Sequence, residues 1–182
     1  MTRGWKTIRN FAVTAAILAA FFWLWGVYLS PETCVLRSME ELGFAPCEIV
    51  SELTFPNGNR EYLMKNTQGK YAIHGAKRVL GLFWATSGGA TGMDFDSRGK
   101  NCPAYFTWGG GADSKYVLCK RFDPAIDKVV WYAEDGTPYP AGDWHDDIVW
   151  RLVPEAVLGD HYTAWSGDHL VYGFDGVNEV QY

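Results

Sequence analysis

Nineteen residues in a row, Phe11–Leu29 (FAVTAAILAAFFWLWGVYL), carry no charge. As an α-helix, at 1.5 Å per residue, such a run spans about 28 Å, close to the roughly 30 Å hydrocarbon core of a bilayer. Apolar residues fall on every face of that helix, so it has no side to turn toward water. Arg3, Lys6 and Arg9 precede the run, and the positive-inside rule places their end in the cytoplasm. Trp5 falls near the cytoplasmic interface, and Trp23, Trp25 and Tyr28 near the outer one, where amphipathic rings settle. A cleaved signal peptide is the competing reading, but cleavage needs small residues at −3 and −1. Leu18 stands at −3 for a cut after Ala20, and Tyr28 for a cut after Ser30. The sequence therefore predicts a cytoplasmic basic tail over 1–10 and a transmembrane signal anchor over 11–29. Residues 30–182 are then outside the cytoplasm, in the periplasm if the source is bacterial.

That compartment makes the cysteines legible. Cys34, Cys47, Cys102 and Cys119 are even in number, and an oxidising compartment favours two disulfides. The local pairs 34–47 and 102–119 are the expected ones among three connectivities. Zinc fits less well, because no Cys-x-x-Cys or closely paired His accompanies them.

After the anchor, SPETCVLRSMEELG predicts a short membrane-proximal helix, with linker, over 30–47. Ser30 can cap it, Pro31 suits the first helical position and Glu32 favours the positive end of the dipole. Val35, Met39 and Leu42 share one face, and Gly43 stops the helix. From Glu48 the pattern changes to short apolar runs between turn residues. EIVSELTF and REYLMKN flank PNGN, a strong hairpin signal. KYAIHG follows, then KRVLGLFWAT, an apolar run suited to a buried central strand. SGGATGMDFDSRGKN reads as loop. AYFTW, SKYVLCKRF, KVVWYAE, IVWRLV, HYTAW, HLVYGF and VNEVQY are further strand candidates. With aromatic content of 16% and 20 Gly, residues 48–182 are expected to form a mostly-β domain. Its form is a compact antiparallel sheet, a sandwich or a small barrel.

GDHYTAWSGDHLVYGFDG, residues 159–176, repeats Gly-Asp-His at an interval of eight. Eight residues make one short strand and its turn, and Asp and Gly suit tight turns. His161 and His169 are therefore expected to be ordinary turn-adjacent residues rather than metal ligands. ATSGGATG lacks the Gly-Lys-Ser/Thr ending of a phosphate loop and the Gly-x-Ser-x-Gly of a hydrolase elbow. No cofactor is implied, and no catalytic residue stands out.

The charge distribution is sharper. Residues 122–182 hold two Lys/Arg against twelve Asp/Glu, while residues 30–121 hold eleven against nine. The acidic third also holds Trp131, Trp144, Trp150 and Trp165. Within it, GDWHDD places Asp143, His145, Asp146 and Asp147 around Trp144. Neighbouring carboxylates repel one another unless a cation meets them, and calcium, a cationic protein and plain solvation are the choices. Aromatic anchors among charges suit a protein interface. Sugar stacking is also open to them, whereas nucleic acid is excluded by its phosphates. A candidate binding face is therefore Asp143, Trp144, His145, Asp146, Asp147 and Trp165.

The expected function is a membrane-anchored, extracytoplasmic protein-binding module with a cationic partner. In outline it is similar to envelope immunity and inhibitor proteins that block basic enzymes, though no motif carries that resemblance. An accessory subunit of a membrane complex is the first alternative, with other subunits as partners. A metal-assisted or glycan-active envelope enzyme is the second.

Overall fold

The structure, a computed structural model, describes residues 3–93, 102–110, 115–154, 161–175 and 179–181. It is mostly β and antiparallel, as the alternation of short runs and turns predicts. Its contacts divide the chain into two compact units, Met1–Gly92 and Met93–Tyr182, so the division falls inside the expected 48–182 domain.

The first unit begins with α1 (Arg3–Leu24), whose described side chains are almost all exposed. Among the described residues no helix is long and apolar enough to cross a membrane. α1 also starts and stops elsewhere than the expected span of 11–29. It takes in Lys6 and Arg9 and ends at Leu24, so Phe11–Leu24 is the uncharged helical part. That part is about 21 Å long, short of the expected span. Residues 25–29 leave the helix through Gly26, at φ +62°, and Tyr28 pairs as a β-bridge with Trp84.

α2 (Pro31–Glu41) forms as the capping signals require. The Thr33 N–H donates to Ser30 Oγ at 3.2 Å, and Gly43 leaves the helix at φ +71°. Cys34, Val35 and Met39 are buried, whereas Leu42 is 56% exposed at the C-cap and does not continue their stripe. Glu32 ties the first turn to the sheet, accepting from Arg60 and from the Tyr62 hydroxyl, each at 3.3 Å.

A four-stranded sheet in the order β1-β2-β3-β4 lies beneath α2. Its strands are β1 (Cys47–Thr54), β2 (Arg60–Asn66), β3 (Tyr71–Val79) and β4 (Phe83–Met93). Asn57-Gly58 makes the β1–β2 hairpin turn, with Gly58 at φ +81°. Tyr62, Met64, Ala72, Ala76 and Trp84 turn one face toward Cys34, Val35 and Met39 to form a core.

Two expectations fail here. KRVLGLFWAT is not one buried strand, because Leu80 and Gly81 both take positive φ and reverse the chain between β3 and β4. SGGATGM is not loop, because it is the second half of β4. Its glycines serve different ends: Gly88 takes φ +97° with open space around it, and Gly89 permits a close approach. A Cβ on Gly89 would meet the Ile73 carbonyl oxygen at 2.1 Å and His74 Nδ1 at 2.6 Å. Residues 94–101 of the expected loop lie outside the described residues.

The second unit holds a three-stranded sheet, β5-β6-β9, and a five-stranded one, β12-β11-β10-β7-β8. The strands are β5 (Ala104–Gly110), β6 (Lys115–Arg121), β7 (Lys128–Tyr132), β8 (Pro138–Pro140), β9 (Ile148–Val153), β10 (His161–Ser166), β11 (His169–Asp175) and β12 (Glu179–Gln181). Val117, Cys119, Val149 and Val153 from the first sheet share one core with Val129, Trp131, Ala164 and Tyr172 from the second. That is a sandwich. Phe106 stacks on Tyr162 with ring centroids 3.6 Å apart, closing the core between the sheets. In β7, Val130 as well as Val129 and Trp131 is buried, so the strand is covered on both faces rather than one.

The four cysteines are free thiols, which corrects the expected disulfides. Register explains the second pair. Cys119 lies opposite Phe106, while Cys102 stands four residues earlier and ahead of the start of β5 at Ala104, so the pairing does not bring the two together. A disulfide tolerates less than about 7 Å between Cα atoms. In the first pair, Cys34 is wholly buried on α2 and Cys47 packs against the edge of the same core, with the sulfurs unbonded. Burial pushes the Cys34 thiol up to about 11 and raises that of Cys119 further.

Candidate functional site

The residues singled out in the acidic third meet at one end of the sandwich. β6 and β9 pair so that Lys120 lies opposite Ile148. The chain enters β9 through a tight turn in which His145 and Ile148 exchange both backbone hydrogen bonds, at 2.7 and 3.0 Å. Asp146 takes φ +54° in that turn, a conformation that Asp tolerates better than most residues. Asp146 and Asp147 are thus turn residues, presented beside the end of β6.

β6 supplies the cations. Lys120 Nζ lies 2.9 Å from Asp147, and Arg121 Nε lies 4.0 Å from the same carboxylate. Arg121 also donates to the carbonyls of Ile126 at 2.6 Å and Asp146 at 3.3 Å. Its guanidinium sits 4.2 Å from the Trp144 ring centroid, within cation–π range. The Asp147 side chain is 52% exposed, so its ion pair with Lys120 is largely solvent-screened. The cations that meet Asp147 come from this chain itself.

Trp144 is not a free aromatic anchor. It is half-buried against the sandwich core, and its Nε1–H donates to the Asp127 carbonyl at 3.0 Å. Asp127 then leads to the other predicted aromatic. Its N–H donates to the Trp165 carbonyl at 3.0 Å, and its carboxylate accepts the Gly167 N–H at 3.1–3.2 Å. Trp165 turns its Nε1–H to Thr163 Oγ1 at 2.9 Å, and Lys128 lies 5.3 Å from its ring. The structure therefore joins Trp144 and Trp165 through one residue, Asp127, that the sequence reading passed over. Arg121 was passed over too. Asp143, at the start of the turn, and Asp168, in the β10–β11 turn, are exposed.

The chain matches no family model, no curated protein and no solved structure. What the corner does must be read from its chemistry. It holds exposed carboxylates on turns, two rings with this chain's own cations beside them, and hydrogen bonds that tie both tryptophans to Asp127.

The histidines of the repeat separate as the strand-and-turn reading expects. His161 lies opposite Asp175 and His169 opposite Ser166, so they occupy opposite ends of one hairpin. Gly167, at φ +57°, and Asp168 make its turn. Gly159, Asp160 and Gly176 lie outside the described residues. Among the described residues no group of three or more His, Cys, Asp and Glu is placed to hold a metal ion.

One further pair imitates a catalytic arrangement. Ser38 Oγ on α2 lies 3.0 Å from Nε2 of buried His74 on β3. A nucleophilic serine needs its histidine oriented by a third group, and among the described residues His74 Nδ1 has no hydrogen-bond partner. Burial lowers the His74 pKa, which keeps the ring neutral. Ser38 and His74 pin α2 to the sheet.

Proposed function

We propose that this chain is a membrane-anchored extracytoplasmic protein-binding module, of the inhibitor or immunity type, that meets a cationic protein at the corner built around Asp127. The observation that carries the binding reading is the convergence of two separate acidic, aromatic segments, 143–147 and 165–168, on that one residue. The 145–148 turn and the Asp127–Gly167 contact are held by hydrogen bonds, so their backbone loses little entropy when a partner docks. Asp143 and Asp168 give the partner exposed charge, while Trp144 and Trp165 give it ring edges with fixed orientation.

The anchor reading rests on α1. Phe11, Ile17 and Leu24 are 78%, 63% and 82% exposed, and Trp25 and Leu29 beyond the helix are 70% and 79% exposed. So much apolar surface on one helix is stable only under lipid or other apolar helices. Lys6 and Arg9 have stems long enough to carry their charges to the headgroups, while Trp25 and Leu29 extend the apolar surface past Leu24. The same exposure also favours a second reading, an accessory subunit whose α1 packs among the helices of a membrane complex.

Affinity purification from solubilised membranes, followed by association and dissociation rates at two salt concentrations, tests the proposal. Neutralising Asp143, Asp146 and Asp147 together should slow association to a basic partner and flatten its salt dependence. Trp144→Ala should lose fold stability by about 2–3 kcal/mol as well as binding, because its ring and N–H are part of the corner. A partner whose rates ignore the triple variant would refute the acidic corner. A partner retained through detergent by α1 alone would favour the subunit.

A further inference from the structure

We propose that the tip of the β3–β4 hairpin, Leu80-Gly81-Leu82, is a second lipid contact that seats the first unit on the bilayer surface; this rests on the anchor reading of α1. The turn chemistry raises the question. Leu80 and Gly81 stand at φ +51° and +74°, the positive values that a type I′ turn requires. Asn, Asp or Gly normally fill such positions, because a Cβ in the left-handed region crowds the following carbonyl oxygen. Leucine is there instead, 84% exposed, and Leu82 is 74% exposed. Neither side chain gains anything from the fold that would offset strain and hydration. A lipid surface supplies that gain.

Position identifies the occupant. The strand that leaves the tip is fixed to the end of α1. Phe83 packs on Phe22 with ring centroids 4.3 Å apart. Trp84 exchanges backbone hydrogen bonds of 2.8 and 2.7 Å with Tyr28. Leu82 therefore stands one residue from an α1 contact, at the level where the helix gives way to Trp25 and Leu29. Between Phe83 and α1 runs an apolar groove of about 570 Å³, lined by Ala15, Leu18, Phe22, Val27 and Leu29 among others. The apolar groove thus reaches Phe83, the residue that follows the tip. Charge agrees: Lys77 and Arg78, both exposed, precede the tip on β3, where anionic headgroup phosphate would meet them. Arg78 spreads over Trp84 at 5.2 Å, so its charge is held beside the tip.

The test uses the full chain reconstituted in vesicles of phosphatidylcholine with a minority of phosphatidylglycerol. A diazirine-bearing leucine analogue is placed at one position per sample and irradiated, and adducts are read by mass spectrometry. Both tip positions are exposed, so the analogue leaves the fold intact. The expected result is a phospholipid adduct at 80 or 82 and at 17 in α1, with none at 57 on the β1–β2 turn. Lipid at 17 but not at 80 or 82 overturns the tip contact and leaves the anchor standing. Links from the tip to a second copy of the chain, or lipid at 57 as readily as at 82, also overturn it. Lipid at 82 without lipid at 17 overturns the anchor alone, and lipid at neither overturns both.

Discussion

Glu61 should make the first sheet lose stability as pH rises through neutrality. It lies on β2 opposite Gly75, on the face turned away from α2. Its carboxyl leans across that glycine: a Cβ on Gly75 would sit 2.7 Å from Glu61 Oε1 and 2.2 Å from Ser87 Oγ. Burial raises its pKa from 4.5 to about 7. Below pH 4.5 the carboxyl is protonated in the folded and unfolded chain alike, and the full stability is present. Between 4.5 and about 7 the unfolded chain releases its proton while the folded one keeps it, so stability falls with rising pH. Above that window both forms are charged and the full cost of burying the carboxylate is borne. At about 1.4 kcal/mol per pH unit the difference amounts to about 3 kcal/mol, and partial exposure lowers it to about 2. Glu61→Gln keeps the shape and removes the ionisation. Urea unfolding in mild detergent, with hydrogen exchange of β2 and β3 peptides as the local probe, should find the variant about 2 kcal/mol more stable than the parent at pH 8. At pH 5 the two should nearly coincide. Equal differences at both pH values would refute the reasoning, because only a proton held by the folded state makes the gap depend on pH.

Gly89→Ala should destabilise the first unit by about 3 kcal/mol or more, since its Cβ would have to displace the Ile73 carbonyl. Gly142→Ala, with nothing within 4 Å, should stay within about 0.5 kcal/mol, and thermal melts of the two variants check the contrast. In the folded protein, timed alkylation with mass spectrometry should label Cys47 and Cys102 well before buried Cys34 and Cys119. Prompt labelling of Cys119 would contradict its wholly buried place in the sandwich core.

The fold was legible where each element carries its own signal. Ser30, Pro31 and Gly43 bound α2 because caps are local chemistry, and Asn57-Gly58 marked a hairpin because positive φ is a property of single residues. IVWRLV became β9 without a residue's change. The reading failed where a residue's role depends on a neighbour distant in sequence. Leu80 looked like the middle of an apolar run, since nothing local says that a leucine will accept positive φ. Gly89 of β4 looked like loop, since the Ile73 carbonyl and His74 that need its lack of a side chain lie a strand away. The disulfide expectation failed likewise: 102 and 119 are close in sequence, but an antiparallel register carried them four residues out of line.

The same limit governs the acidic corner, and it changes what a partner would feel there. Counting along the chain, residues 122–182 are almost without cations, so 143–147 looked like bare carboxylates around an open tryptophan. Pairing β6 with β9 brings Lys120 and Arg121 across a separation of some 27 residues to meet Asp147 and Trp144. Lys128 likewise meets Trp165 across β7 and β10. Around Asp127 five carboxylates (Asp127, Asp143, Asp146, Asp147, Asp168) therefore face three cations, leaving a small negative excess rather than a bare cluster. A field of that size acts over about 8 Å at physiological salt, enough to orient a basic surface on approach but weak as a source of affinity. Tight binding would have to come from a partner group that competes with Arg121 for Trp144 or with Lys120 for Asp147. Either exchange gives up a contact that this chain already makes, while Arg121 keeps its Ile126 and Asp146 carbonyls, so a partner's positive charge replaces a cation here rather than adding one. A purely cationic surface would be steered to this corner and then released, which is why dissociation, more than association, should distinguish a true partner from any basic protein.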